Sequence, residues 1–252
     1  MWGMISTSNL FVALTCSGAT KAFKAGDHEA ALRKVRRYRK FFRSDPRGYW
    51  LEHEMGIRTG WPPSQPPLAL LREGWRRGPW FAPLAEALIH QLLEEDRRQP
   101  DPKWRVEAHR VVDQIVDLYG ESYWSAVWRS ELAQLEGDFT LARDHALLAL
   151  NAVEGKDDDG DLGLVKVAWS FLSIPGERDR AEELLLQAIA KYGRAEPHLY
   201  YGLAVEGRDP GLGQRHIDQA RSMWPDDNFD RVLNRTRRLL EADQQRRSSA
   251  RR

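Results

Sequence analysis

Helical periodicity runs through almost the whole chain and constrains its fold more than any other feature. In residues 27–43, 84–98, 103–119, 121–135, 138–153, 162–173, 177–192, 196–206, 212–224 and 227–243, apolar side chains recur at i, i+3 and i+4. That spacing gathers them on one face of an α-helix. No segment sustains the alternation of a half-buried strand. The breaks are short: Gly26-Asp27, Gly137-Asp138, Pro175-Gly176, Gly193, Asp209-Pro210 and Pro225-Asp226. Glycine ends a helix because the left-handed turn costs it nothing sterically. Asp or Pro begins the next helix, one by capping a free N–H and the other by lacking one. Helices joined by such brief turns fold back on one another as antiparallel hairpins. The sequence therefore predicts an all-α chain.

Composition narrows the class. Of 252 residues, 42% are hydrophobic and 30% charged, which suits a folded globular protein and excludes a disordered one. The ten tryptophans run from Trp2 to Trp224, so they serve many packing layers and not one aromatic site. The net charge of +1 conceals a strong asymmetry. Residues 1–50 carry ten Lys/Arg against three Asp/Glu, and residues 51–160 carry 12 against 20. A basic front end thus precedes an acidic middle, which bears on partners more than on fold. Cys16 is the single cysteine, so no internal disulfide forms, and no Cys/His spacing marks a zinc site. No window is long and apolar enough for a membrane-spanning helix. Residues 1–20 lack charge, and Leu10–Cys16 has the look of a lipoprotein signal, though without a basic n-region and with Thr15 where a smaller residue belongs. The expected location is cytoplasmic, the alternative being export or membrane anchoring through this uncharged start.

Two segments break the helical pattern. Trp61-Pro62-Pro63-Ser64-Gln65-Pro66-Pro67 favours polyproline II. Residues 244–252 are polar and hold four arginines, which reads as a disordered tail. The expected organisation is a helical-hairpin region with a basic helix (1–57), a proline-rich connector (58–67), a helical-repeat solenoid (68–243) and a basic tail (244–252).

Internal similarity points to the architecture. EGDFTLARDHALLAL at 136–150, AEELLLQAIAKYG at 181–193 and GQRHIDQARSMWP at 213–225 superimpose. Each sets a small residue, then a small or apolar one four on, then Ala three further: Ala142/Ala146/Ala149, Ala181/Leu185/Ala188 and Gly213/Ile217/Ala220. AGDHEAALRKV at 25–35 opens in the same way. The pattern resembles the second helix of a tetratricopeptide repeat (TPR), with Pro225 at the family's closing proline and Gly202 near its first-helix glycine. The resemblance covers about half the chain and is weakest over 58–120. It implies a TPR-like α-solenoid, a right-handed superhelix of antiparallel hairpins whose first helices line a concave groove. In residues 162–173, Lys166, Ser170 and Ser173 share one narrow sector of an otherwise apolar helix, as a groove-lining helix requires. By the family's offsets, Lys166 and Ser170 are expected to share that groove with His198 of the next repeat.

Candidate chemistry is sparse. Asp157-Asp158-Asp159-Gly160-Asp161 spells the DDxxD of all-helical, magnesium-dependent prenyl-transferring enzymes, but it falls in a hairpin loop with no second acidic motif. As a calcium loop it places its glycine one residue early and Ala168 where a bidentate glutamate belongs. A solvated loop that caps the next helix is the simpler account. Glu52-His53-Glu54 reads as the polar face of a short helix, and no nucleophile, phosphate-loop or dinucleotide motif is present. Neither an enzyme nor a cofactor is expected.

Electrostatics carry the strongest local signal. Residues 32–43, LRKVRRYRKFFR, hold seven basic side chains, while Ala31, Leu32, Val35, Tyr38 and Phe42 share the opposite face. Arg33, Arg36, Arg37, Lys40 and Arg43 are the candidate partner-binding residues. An equally simple reading pairs this face with the protein's own acidic segment. The leading function is a protein-interaction scaffold or adaptor within a larger assembly, using the groove, the basic face or both. A nucleic-acid or anionic-membrane module led by residues 33–43 and the arginine tail is the alternative. A metal-dependent helical enzyme comes third.

Overall fold

The computed structural model describes residues 18–23, 25–60, 64–154, 160–224 and 229–250. All regular structure among these residues is helical. A short helical segment, 18–23, precedes twelve longer helices. These are α1 (His28–Phe41), α2 (Pro46–Thr59), α3 (Pro67–Arg77), α4 (Ala82–Arg98), α5 (Pro102–Tyr119), α6 (Tyr123–Glu136), α7 (Phe139–Glu154), α8 (Gly160–Leu172), α9 (Arg178–Tyr192), α10 (Ala195–Val205), α11 (Pro210–Met223) and α12 (Phe229–Ala250). Their ends have the expected chemistry. Asp27, Asp45, Asp101 and Asp209 cap α1, α2, α5 and α11 by accepting backbone N–H bonds, and proline occupies the first turn of the last three. Gly137 and Gly193 close α6 and α9 at φ 82° and 57°, a conformation that a side chain would strain.

The chain forms two compact units, 1–92 and 93–252, with the boundary inside α4. The proline-rich connector therefore falls within the first unit. In that unit α1 packs on α2 and α2 on α3. Ala19, Ala31, Leu32, Val35 and Met55 form one buried cluster. Gly74 of α3 lies so close to Tyr49 and Leu84 that an added Cβ would sit 2.7 Å from each. The sequence segments singled out for helical periodicity do not include α2 and α3, although Leu70, Leu71, Gly74 and Trp75 of α3 are buried at helical spacing. Each of the two helices begins with a proline at its first turn.

The second unit is a stack of hairpins. Helix α6 pairs with α7, α8 with α9 and α10 with α11, while α7–α8 and α9–α10 contacts join successive pairs. The first helices also meet side by side, α6 with α8 and α8 with α10. The small-residue pattern explains this layering. Ala142, Ala146, Ala149, Ala181, Leu185, Ala188, Ile217 and Ala220 are essentially inaccessible to solvent. Larger first-helix residues, including Val167, Phe171 and Leu199, fill the space they leave. At α10–α11 the approach brings backbone to backbone: a Cβ on Gly202 would lie 2.8 Å from the Gly213 carbonyl oxygen. Helix α12 adds Phe229, Leu233 and Leu240 to the same core. It continues to Ala250, so most of the stretch read as a disordered tail is helical.

Candidate interaction surfaces

Helix α1 owes its two faces to its sequence. Ala31, Leu32, Val35 and Tyr38, spaced at helical period, are buried. Arg33, Arg36, Arg37 and Lys40 then project to solvent, and Arg43, just beyond the C-cap, is exposed as well. The structure divides these charges into two sets. Glu52 of α2 is completely buried and receives Arg36 Nε at 3.1 Å and Arg39 Nη1 at 3.2 Å. The Ser64 N–H donates to the same carboxylate at 2.7 Å. A buried carboxylate must be neutralised by such partners, so Arg36 and Arg39 hold the α1–α2 hairpin together. Arg33 pairs with Glu29 one turn away on the helix surface, and Lys34 Nζ donates to the Gly18 carbonyl at 3.1 Å. Among the described residues no carboxylate pairs with Arg37, Lys40 or Arg43. The Arg37 guanidinium stands 5.9 Å from the ring centroid of Phe41, which is 67% exposed.

Glu52 and its neighbour also amend the sequence reading. Glu52 and His53 are buried, and they form an inward face of α2 where a polar outer face was expected. The cause is the arginine side of α1, which needs an internal counter-charge. Asp45 completes the corner. Burial pushes its carboxyl up, but hydrogen bonds from Arg47 and Tyr38 outweigh that and leave it below the ordinary carboxylate range.

Helix α8, one of the first helices of the second unit, is largely closed to solvent over its described side chains. From Gly163 to Ile174 only Lys166 escapes burial. Ser170 is inaccessible, its Oγ donating to the Lys166 carbonyl at 3.3 Å while its own carbonyl accepts from Gln134 Nε2 at 3.0 Å. Ser173 is buried too. A hydrogen bond to the backbone lets the Ser170 hydroxyl sit in a core, which sequence pattern alone misreads as part of a solvated stripe. Lys166 Nζ lies 5.7 Å from the Trp124 ring centroid, linking α8 to α6, and Trp169 meets Tyr200 edge-on, linking α8 to α10. His198 is partly exposed and turns toward α11, where its Nδ1 is 2.9 Å from Nδ1 of His216. The last turn of α4 joins this unit through Arg97, which pairs with buried Glu131 of α6 at 3.3 Å, and through Glu94, which accepts from Arg235 Nε of α12 at 2.7 Å.

Asp157, Asp158 and Asp159 lie outside the described residues, as do Cys16, Trp61 to Pro63, Pro225 and the two terminal arginines. Among the described residues no group of three or more His, Cys, Asp or Glu is placed to hold a metal ion, and no helix is long and apolar enough to cross a membrane.

The sequence matches no protein-family model and no curated protein. The fold has relatives among solved structures. It is similar to the crystal structure of a thermophilic TPR protein of Thermus thermophilus, with 16% identity and a TM-score of 0.56 over 82% of this chain and 97% of that one. A tetratricopeptide repeat protein from Parabacteroides merdae aligns over 91% of this chain and 98% of its own, with 12% identity and a TM-score of 0.46. Hairpin pairing, adjacent first helices and small residues at the crossings define the fold as TPR-like helical repeat.

Proposed function

We propose that this chain is a protein-interaction scaffold that docks an acidic protein partner on the exposed side of α1. The observation that carries this reading is the state of Arg37, Lys40 and Arg43. Arg37 and Lys40 extend from α1 and Arg43 follows its C-cap, all three are exposed, and no described carboxylate neutralises them. The neighbouring charges, Arg36 and Arg39, are committed to Glu52. A concentrated positive potential of this kind raises encounter rates with acidic surfaces and discriminates against basic ones. The burial of α8 supports the choice, because among its described side chains, Gly163 to Leu172, only Lys166 reaches solvent. Lys166 and His198 remain secondary contact points at most, and Ser170 is withdrawn from the surface.

Binding of a fluorescent Glu-rich peptide, measured across salt concentrations, tests the reading. The expected result is saturable binding that the triple reversal Arg37→Glu, Lys40→Glu, Arg43→Glu abolishes with the helical circular-dichroism signal unchanged. Tighter binding to single-stranded DNA or to anionic vesicles, with a steeper loss of affinity in salt, would favour a phosphate partner and overturn the acidic-protein reading.

A further inference from the structure

The glycine crossing of α10 and α11 places two histidines in contact, and their arrangement has a use that the interaction reading leaves untouched. Gly202 and Gly213 allow α10 and α11 to meet backbone to backbone, since a Cβ on Gly213 would lie 2.7 Å from the Glu206 Cα. One turn from that crossing, His198 on α10 and His216 on α11 face each other. Their rings stack with centroids 5.1 Å apart and planes inclined at 29°, and their Nδ1 atoms are 2.9 Å apart. The edge of the pair is held by Tyr201, whose ring meets His216 at 4.7 Å and 67°. Both histidines are partly exposed, so solvent and solutes reach them.

We propose that His198 and His216 form a two-imidazole site for a divalent transition-metal ion of the copper(II) or nickel(II) type. Imidazole nitrogens suit first-row divalent metals, and for a site of two such nitrogens completed by water copper(II) stands at the top of the affinity order, with nickel(II) sharing its square-planar or tetragonal preference. As the pair stands, one Nδ1 donates its hydrogen to the other. An ion would bind once that ring carries its hydrogen on Nε2 and both rings turn their Nδ1 lone pairs toward it, while the glycine crossing holds the backbones close. Burial holds both imidazoles below their ordinary pKa, the charge of His198 and Arg215 adding to this at His216, so both rings are neutral ligands at neutral pH. Arg215 is also the cation that opposes a bound ion, and it limits affinity. Water completes the coordination, since no third protein ligand is clustered with the pair among the described residues.

The test uses the full chain without a polyhistidine tag. Copper(II) is titrated into the wild type and the His198→Gln and His216→Gln variants, with His109→Gln as a control on another helix. The expected result is a rise in Tm for the wild type and the control, and binding weakened at least about tenfold in either variant, since losing a ligand outright costs no less than losing a ligand's supporting partner. Pulsed paramagnetic resonance of the wild-type copper complex, which does not depend on any variant folding, is expected to show two imidazoles. One imidazole or none, or unchanged binding in His216→Gln, overturns the proposal. The outcome is independent of α1, so it leaves the acidic-partner reading to its own test.

Discussion

Glu52 shows how a single side chain sorts a charged helix into structure and surface. It is buried without exposure to solvent, and Arg36, Arg39 and the Ser64 N–H converge on it. Glu52→Gln leaves Arg39 facing a neutral amide in a largely enclosed site, and the expected loss is about 3 kcal/mol of unfolding free energy, measured by urea denaturation. Arg36 is 42% exposed, so solvent screens its share, and Arg36→Glu is expected to cost less than Glu52→Gln but more than Lys40→Glu, which is expected to change stability by less than about 0.5 kcal/mol. The five basic residues were legible in the sequence. Their division was not, because Glu52 is 16 positions from Arg36 and helical spacing on α1 says nothing of what α2 presents. Asp45 is a second case. It caps α2, is bonded by Tyr38 and Arg47, and lies below the ordinary carboxylate range. Asp45→Ala is expected to cost about 1–2 kcal/mol.

At the scale of elements, the repeat was legible because small residues at helix crossings leave a fixed spacing in the sequence. Ala188 and Ala181 of α9 are fully buried against the core, and Gly202 sits 2.8 Å, by its missing Cβ, from the Gly213 carbonyl oxygen. Ala188→Leu is expected to overpack α8–α9 and lower stability by about 1–3 kcal/mol. Gly202→Ala tests the crossing more sharply. On an exposed helix the change would stabilise by about 1 kcal/mol, yet here the nearest contact is the Gly213 carbonyl oxygen and Ile217 crowds the site with both its side chain and its backbone nitrogen. A net loss of stability and a lower Tm are expected, and a gain would show that the helices are not held that closely. Helices α2 and α3 were harder to read, because Pro46 and Pro67 look like breaks in a sequence although each serves as a helix's first residue. Ser170 was misread for a related reason: a hydroxyl bonded to the carbonyl four residues back needs no solvent.

For the molecule as a whole, acid is expected to act in two stages. Burial lowers the pKa of His145, His198 and His216, so the unfolded chain takes up these protons first, and stability declines as pH falls below about 6.5 and levels off once the folded imidazoles titrate. Asp45 is lowered as well, so its contribution is complete above its unfolded value near 3.8 and is lost only as pH falls through its folded value. Denaturation midpoints measured from about pH 8 to about pH 3 are expected to show the first decline, reduced in His216→Gln. The TPR-like class of the fold was legible in the sequence, but the burial of Ser170 and the pairing of the last turn of α4 with α6 were not, since both depend on long-range contacts such as Gln134–Ser170 and Arg97–Glu131. That leaves α1 as the central claim. Its most direct test is a photo-cross-linking amino acid placed at Lys40 and, in a second protein, at exposed Gln187 of α9, both expressed in the native cell. The account predicts an adduct with an acidic protein at position 40, absent at position 187 and lost when Arg37 and Arg43 are changed to Glu. No adduct at position 40, or the same adduct at both positions, would contradict it.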